Sequence, residues 1–453
     1  MSELTYRARS REDVWDYLPE FASEQLPRYT SYPPANRFSA DVDGAAASAA
    51  RARLPVGAAI SLYLHIPFCQ KLCWYCGCHT SVPTVADPID TYIEALKAEI
   101  ALVASDLPSG ARVTRIHFGG GSPDILSPQQ VDQLFAAIRA HFDLSPLADI
   151  AVELDPRGIS PGLIQAFASA GLTRASLGVQ VLNADVQKRI NRIQPKSVIE
   201  NAIRMLRQAG VESINIDMMY GLPGQTLADV VETALFASTQ DADRIAVFGY
   251  AHVPWMKKYQ KAFNLEDLPT GEARFRQAEV AARTLTSAGY VAVGFDHFAA
   301  PGDSLSTAER NGQLHRNFQG YTDDDCDALI GLGASAISSL PELFYQNTPD
   351  TAAYRSSLGA GRSPVVRGLK PTREDISIAQ LIERVLCDFE VKLDTAMKDA
   401  VYPKLAPLIQ AGLVGLHGNT LTVSARGRPY SRNVAACFDP GFAPKPGTHS
   451  LAI

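Results

Sequence analysis

The sequence predicts an α/β protein. It reads as a partial (β/α)6, three-quarter TIM-like barrel, with an extended N-terminal segment before it and a small, mainly helical C-terminal domain after it. Three observations carry that prediction. Six short runs between residues 61 and 300 are rich in Val, Ile and other apolar residues without clean alternation, as strands buried on both faces read. Helical patterns lie between the runs, and a repeated strand–helix–strand series builds a parallel sheet. The chain has 453 residues, 46% hydrophobic and 20% charged, which is enough apolar material to bury such a sheet.

Residues 1–60 are predicted to be an Ala-rich helical lead-in. It is broken at residues 27–34, where two closing prolines cannot continue a helix and leave the chain extended. Strands are expected at residues 61–66, 113–118, 150–154, 174–179, 213–218 and 244–250. Helices are expected at 89–103, 128–141 and 198–209. Right-handed crossovers curl six such units into about three quarters of a closed barrel. Residues 300–370 are Gly- and Ser-rich and are expected to be irregular, extending a catalytic unit that spans 61–370. Residues 371–453 are predicted to form a winged-helix-like domain, with helices at 376–389 and 396–411 and a hairpin over 413–423.

Lys and Arg number 42 against 48 Asp and Glu, a net charge of −6, which argues against a protein built to coat nucleic acid. No apolar run is long enough to span a membrane. The opening Met1-Ser2-Glu3-Leu4-Thr5-Tyr6-Arg7 lacks the apolar core of a signal peptide, so a cytoplasmic location is expected. Seven cysteines do not form the dense, spread framework of a secreted domain. Cys326, Cys387 and Cys437 are isolated and read as small buried hydrophobes.

The other four, Cys69, Cys73, Cys76 and Cys78, follow the first strand with spacing C-x3-C-x2-C-x-C. Soft thiolates bind zinc, copper(I) or iron–sulfur clusters. Structural zinc usually takes two well-separated pairs, whereas three thiols on one loop suit three corners of a cubane and leave the fourth iron open. Spacing alone favours a cluster and leaves zinc and unligated thiols as alternatives.

The loop resembles that of the radical S-adenosylmethionine (SAM) superfamily. The run from Tyr63 to Cys78 further resembles the oxygen-independent coproporphyrinogen III oxidases. So do residues 27–33 (PRYTSYP), 118–123 (FGGGSP), 152–157 (VELDPR), 178–180 (GVQ), 215–223 (NIDMMYGLP), 250–252 (YAH), 296–299 (DHFA) and 315–322 (HRNFQGYT). Tyr75, Val181 and Gly249 depart from that pattern.

The resemblance implies one [4Fe–4S] cluster held by Cys69, Cys73 and Cys76, with the open iron chelating SAM. It assigns Tyr63, Tyr75, Gly120, Gly121, Ser122, Glu153 and Ile337 to that SAM. It assigns Gln180, Arg192, Asp217 and Ala251 to a second SAM molecule, and it requires Cys78 for activity in an unspecified role. Taken alone, Tyr63 is equally a barrel-wall aromatic, the glycines a tight turn, Arg192 a solvated helix charge, Asp155 an N-cap and His65 a structural hydrogen bonder. A second argument supports the assignments: these groups fall at or just past predicted strand ends, where barrel ligands bind.

The implied substrate is coproporphyrinogen III, covered by the N-terminal segment. Two of its four propionates become vinyl groups as a 5′-deoxyadenosyl radical takes a β-hydrogen, CO2 leaves and one electron passes to an acceptor. Two SAM are consumed per product. The resemblance also implies a monomer and a low-potential electron-donor protein of flavodoxin or ferredoxin type. Carboxylates need cationic and amide partners, for which Arg28, His315, Arg316, Asn317 and Gln319 are the candidates. The competing readings are a heme-binding relative on the same barrel and a zinc-stabilised interaction protein.

Overall fold

The computed structural model describes residues 15–83, 87–318 and 320–442. Six strands run parallel and pair in chain order: β1 (Ala59–Ile66), β2 (Arg112–Gly120), β3 (Asp143–Leu154), β4 (Arg174–Gln180), β5 (Ser213–Tyr220) and β6 (Arg244–Gly249). Helices Asp87–Ser105, Pro128–His141 and Lys196–Gln208 lie where the pattern placed them. The start of Pro128–His141 is written in the chain: Ser127 and Gln130 form a reciprocal capping box, with Pro128 at the first helical position.

The strands differ from the sequence expectation in one informative way: they alternate. In β1, Ile60, Leu62, Leu64 and Ile66 are fully buried in the apolar core, while Tyr63 and His65 take the opposite face. In β5, Ile214, Ile216 and Met218 are buried between half-buried Asn215 and Asp217. The outward parity packs on helices. The inward parity is polar, because this barrel encloses a polar lumen rather than an apolar plug.

Two expectations are corrected. Residues 300–370 are not mainly irregular. The sheet first extends beyond β6 through β7 (Val291–Val293) and β8 (His297–Ala299). A separate hairpin follows, β9 (His315–Asn317) with β10 (Gly320–Thr322). Then β11 (Ala328–Leu332) pairs in parallel with β1, and β12 (Ile337–Leu340), β13 (Leu343–Asn347) and β14 (Val365–Leu369) continue antiparallel to a total of 12 strands. These strands are at most five residues long, too short to show a period above their Gly and Ser neighbours. The N-terminal segment is also less helical than predicted. Its described part holds Pro19–Ala22, Gly44–Ala52 and the short turn Ala35–Arg37, and is otherwise extended or turn.

After β14 come helices Arg373–Cys387 and Thr395–Gln410. A small antiparallel sheet of β15 (Glu390–Lys392), β16 (Val414–His417) and β17 (Thr420–Val423) and a last helix, Ser431–Phe438, complete the C-terminal part. The main apolar core takes in residues from Ala22 to Phe438, and two smaller clusters lie beside it. No helix of the described residues is long and apolar enough to cross a membrane.

The N-terminal segment is pinned to the last helix. Asn433 Nδ2 donates to Phe21 O (3.0 Å) and Glu24 Oε2 (2.7 Å), and the Tyr29 and Tyr32 hydroxyls donate to Asp439 at 3.2 and 3.4 Å. This brings Arg28 to the mouth of the barrel, where its Nη2 donates to Gly249 O at 3.1 Å.

Candidate functional site

Cys69, Cys73, Cys76 and Cys78 line one cavity of about 170 Å³ at the C-terminal end of the barrel strands. Tyr75, Gly120, Gly121, Ser122, Glu153, Gln180, Arg192 and Asp217 line it with them. Among the described residues no three His, Cys, Asp or Glu side chains converge as they would on a single ion. Thiols arranged around a cavity do not form the closed tetrahedron of structural zinc, and they fit a polynuclear cluster in which each thiolate meets its own iron.

The surroundings suit an anionic cluster. Cys73 Sγ accepts from Arg157 Nη2 and Arg192 Nη1, both at 3.4 Å, and Cys69 Sγ lies 3.1 Å from Thr80 Oγ1. The loop backbone is held from outside. Asn191 Nδ2 donates to Leu72 O (2.8 Å), Gln260 Nε2 to Tyr75 O (3.1 Å), Lys257 Nζ to Cys78 O (2.7 Å), and the Tyr259 hydroxyl to Cys76 O.

The glycines at the end of β2 are there for close approach. A Cβ on Gly121 would lie 2.4 Å from Phe68 O, and one on Gly119 would lie 2.9 Å from the Glu153 carboxylate. Gly120 adopts φ +108°, and its N–H donates to Glu153 Oε2 at 3.4 Å. Glu153 Oε1 lies 2.9 Å from His117 Nε2. Burial acts to raise the Glu153 carboxyl, and the His117 hydrogen bond and charge with the Gly120 N–H outweigh it, so it sits below the ordinary Glu value. Burial and the Glu153 charge push Asp217 up to about 6, against the Asn215 hydrogen bond at 2.8 Å.

The remaining assigned residues fall in several places. Gln180 ends β4 with φ +66°, turning the chain at the cavity wall. Asp217 is not at a strand end; it reaches the cavity from the middle of β5 through its inward parity. Arg192 is not a solvated helix charge. It lies in the loop after Ala184–Arg189, buried, with Nη1 2.8 Å from Asp155 Oδ2.

Asp155 is not an N-cap. It pairs with Arg157 and Arg192, while Ser160 caps the helix Pro161–Ala170. Tyr63 stands behind the cavity, its hydroxyl 3.0 Å from His65 Nδ1. Ala251 and Ile337 are not among the cavity-lining groups. Ala251 O accepts from the same Gln260 that braces Tyr75, and Ile337 packs its backbone on Gly331, the β11 partner of Tyr63.

Cys78 also lines a second cavity of about 330 Å³, with Arg28, Tyr220, Gly249, Arg274, Phe295, Asp296, Arg316 and Arg432. The Arg316 side chain is 5% exposed, and its guanidinium packs on both the Phe295 ring (4.7 Å) and the Tyr321 ring (4.5 Å), which touch each other edge to face. The substrate candidates separate here. Arg316 lines both this cavity and a neighbouring one of about 600 Å³, whereas His315, which bonds Glu383 Oε1 at 3.2 Å, and Asn317 line only the second. Gln319 lies outside the described residues.

Arg274 and Arg432 were not singled out from sequence. Arg432 carried a usable signal: Ser431–Phe438 is buried along its whole length, and a charge inside such a run needs a reason. Of the departures, Gly249 leaves room that a side chain would take, since a Cβ there would lie 2.8 Å from Tyr220 Oη and 3.0 Å from Arg274 Nη2. Val181 is buried in an apolar cluster with Ile190, Leu222 and Tyr250.

A model of the radical SAM superfamily matches residues 63–237. An oxygen-independent coproporphyrinogen III oxidase from Bradyrhizobium diazoefficiens is 44% identical over 97% of this chain and 99% of its own. One from Paracoccus denitrificans is 39% identical over 95% and 97%. The chain belongs to the oxygen-independent coproporphyrinogen III oxidase family. The solved structure of coproporphyrinogen III oxidase (HemN) from Escherichia coli, a radical SAM enzyme, superposes with a TM-score of 0.88 at 35% identity, covering 92% of this chain and all of that one. Membership in this family sets aside the zinc-stabilised interaction protein.

Proposed function

We propose that this chain carries out the oxygen-independent oxidative decarboxylation of coproporphyrinogen III to protoporphyrinogen IX. One observation supports it beyond the family: Cys78 is a shared wall between a thiol-lined cavity and an arginine-lined one. A cofactor site and a carboxylate site therefore stand side by side.

Cys69, Cys73 and Cys76 are the residues that would hold the [4Fe–4S] cluster. Once reduced, the cluster would supply the electron that cleaves bound SAM, whose deoxyadenosyl carbon would take the propionate β-hydrogen. The ionised Glu153 and the cavity-lining backbone of Gly120 and Gly121, with Ser122, suit the amino-acid end of SAM. Tyr63 and Ile337 support that wall from behind. Tyr75 closes the cavity with its ring. Gln180, Arg192 and Asp217 line the place for a second SAM, with Ala251 set back on the Gln260 side chain. Arg192 is already engaged by Asp155 and Cys73, which suits charge neutralisation beside the cluster more than direct contact. Arg28 and Arg316 take substrate carboxylates, and Cys78 faces both reactants. A low-potential flavodoxin or ferredoxin-type donor, a monomeric state and a cytoplasmic location complete this reading.

The deciding experiment is an anaerobic assay of reconstituted protein with SAM, reductant and coproporphyrinogen III. It should yield 5′-deoxyadenosine and a product lighter by two carboxyl groups, with two SAM consumed per product. Cys73→Ala should abolish both products. Retention of a SAM-dependent yield by Cys73→Ala would sink the assignment of the cluster to this loop.

A further inference from the structure

Resting on the oxidase reading, the geometry points to Asp296 and Arg316 as two poles that recognise a reduced tetrapyrrole: Arg316 takes a propionate carboxylate, and Asp296 accepts pyrrole N–H groups. The 330 Å³ cavity is lined by four arginines and, among the described residues, a single carboxylate, Asp296. A cavity meant only for a four-carboxylate ligand gains nothing from an anion in its wall. Asp296 is nevertheless held ionised there: burial acts to raise it, and the charges of His297 and Arg316 with the His297 hydrogen bond at 2.7 Å bring it below the ordinary Asp value.

Asp296 and Arg316 attract each other as charges without bonding directly. Asp296 Oδ2 stops 3.9 Å from Arg316 Nη2, beyond hydrogen-bond reach, while the guanidinium packs on the Phe295 and Tyr321 rings. Arg316 Nε and Nη1 are buried with no hydrogen-bond partner. Buried donors without partners cost about 1–3 kcal/mol, more for charged groups, so a missing acceptor is indicated. An unpaired donor group and an available carboxylate oxygen thus stand side by side. Their ligand must bring an acceptor and a donor together.

A porphyrinogen does. It carries propionates at its rim and four pyrrole N–H groups on sp3-bridged rings that can tilt toward one face. A porphyrin has the same rim, but its ring is flat and its two remaining N–H groups lie in the ring plane. Asp296 therefore reads the oxidation state of the macrocycle, and Arg316 reads only its carboxylates.

The test is anaerobic binding of coproporphyrinogen III and of coproporphyrin III to cluster-loaded protein, with iron content measured on each sample. Asp296→Asn should weaken coproporphyrinogen about tenfold and leave coproporphyrin within about twofold, the loss of one charge-assisted contact. Arg316→Gln should weaken both ligands about tenfold. Should Asp296→Asn not load its cluster, Asp296→Glu, which keeps the charge but moves it, must lower the porphyrinogen-to-porphyrin affinity ratio. Equal losses for both ligands in the Asp296 variant, or unchanged binding in Arg316→Gln, overturn the pairing alone if wild-type protein still turns over coproporphyrinogen. Wild-type protein that binds neither tetrapyrrole overturns the oxidase reading with it.

Discussion

His65 shows what a single buried side chain in this barrel controls. Its Nε2 lies 3.1 Å from His79 O and its Nδ1 3.0 Å from the Tyr63 hydroxyl, so both ring nitrogens are engaged inside the barrel. Burial pushes its pKa down from 6.5 to about 4. Above pH 6.5 the ring is neutral in both folded and unfolded chains and costs nothing. As the pH falls below 6.5 the unfolded chain takes a proton that the folded chain refuses, so stability drops until the folded ring titrates near 4. Across that window the loss amounts to about 3 kcal/mol. Urea unfolding at pH 7.5 and pH 5 should show about 2 kcal/mol of it, and His65→Asn should flatten the difference. Glu153 works in the opposite electrical sense, as a carboxylate kept ionised beside His117. Glu153→Gln should leave iron content unchanged and weaken SAM binding about tenfold, measured by equilibrium dialysis. At this scale the sequence was readable where a motif fixed the chemistry, as in the cysteine loop, and where a neutral role was enough, as for His65. It was not readable where the partner is remote. Nothing near Asp155 announces Arg192, which is 37 residues away in the chain.

Elements were legible to the extent that they were long. Each of the six parallel strands was found to within a few residues of its start or end except β3, whose first half, beginning at Asp143, is mostly exposed or half-buried and lacks an apolar run. The inward faces were missed because polar inward positions dilute the pattern that a packed barrel interior would give. The short strands β9 to β14, three to five residues each, were too short to show a period. One of them nevertheless fixes the site, since β9 brings Arg316 and not His315 to the arginine cavity. The junction of β2 with the cysteine loop gives a sharper test. The Gly121 N–H donates to Ile66 O and the Ser122 N–H to Phe68 O, both at 2.8 Å, so the strand end and the loop share a backbone seam. Gly121→Ala places a methyl 2.4 Å from Phe68 O, a backbone atom that cannot rotate away. It should cost about 1–3 kcal/mol and lower the iron bound after reconstitution. Gly77→Ala, in the same loop with nothing within 4 Å of its new Cβ, should load iron normally.

Across the whole molecule, the site is assembled from chain segments that only the tertiary fold brings together. Arg28 comes from the N-terminal segment, Arg274 from the helix after β6, Arg316 from β9 and Arg432 from the last helix. No periodicity predicts that convergence: Arg28 and Arg316 stand out as candidate donors, but nothing local places them beside Arg274 and Arg432. What holds it is the contact between the two ends of the chain. The Tyr29 and Tyr32 hydroxyls both donate to Asp439, so Asp439 fixes the turn that carries Arg28 to Gly249 O. Asp439→Ala removes the acceptor and leaves two largely buried hydroxyls without it, at a cost of about 1–3 kcal/mol. The cysteine loop makes none of these contacts, so its chemistry should survive. Iron content and SAM cleavage without substrate should match wild type, while the substrate KM should rise about tenfold as Arg28 loses its fixed place. If SAM cleavage fell in step with substrate affinity, the N-terminal segment would be supporting the barrel as a whole rather than positioning one arginine over the substrate.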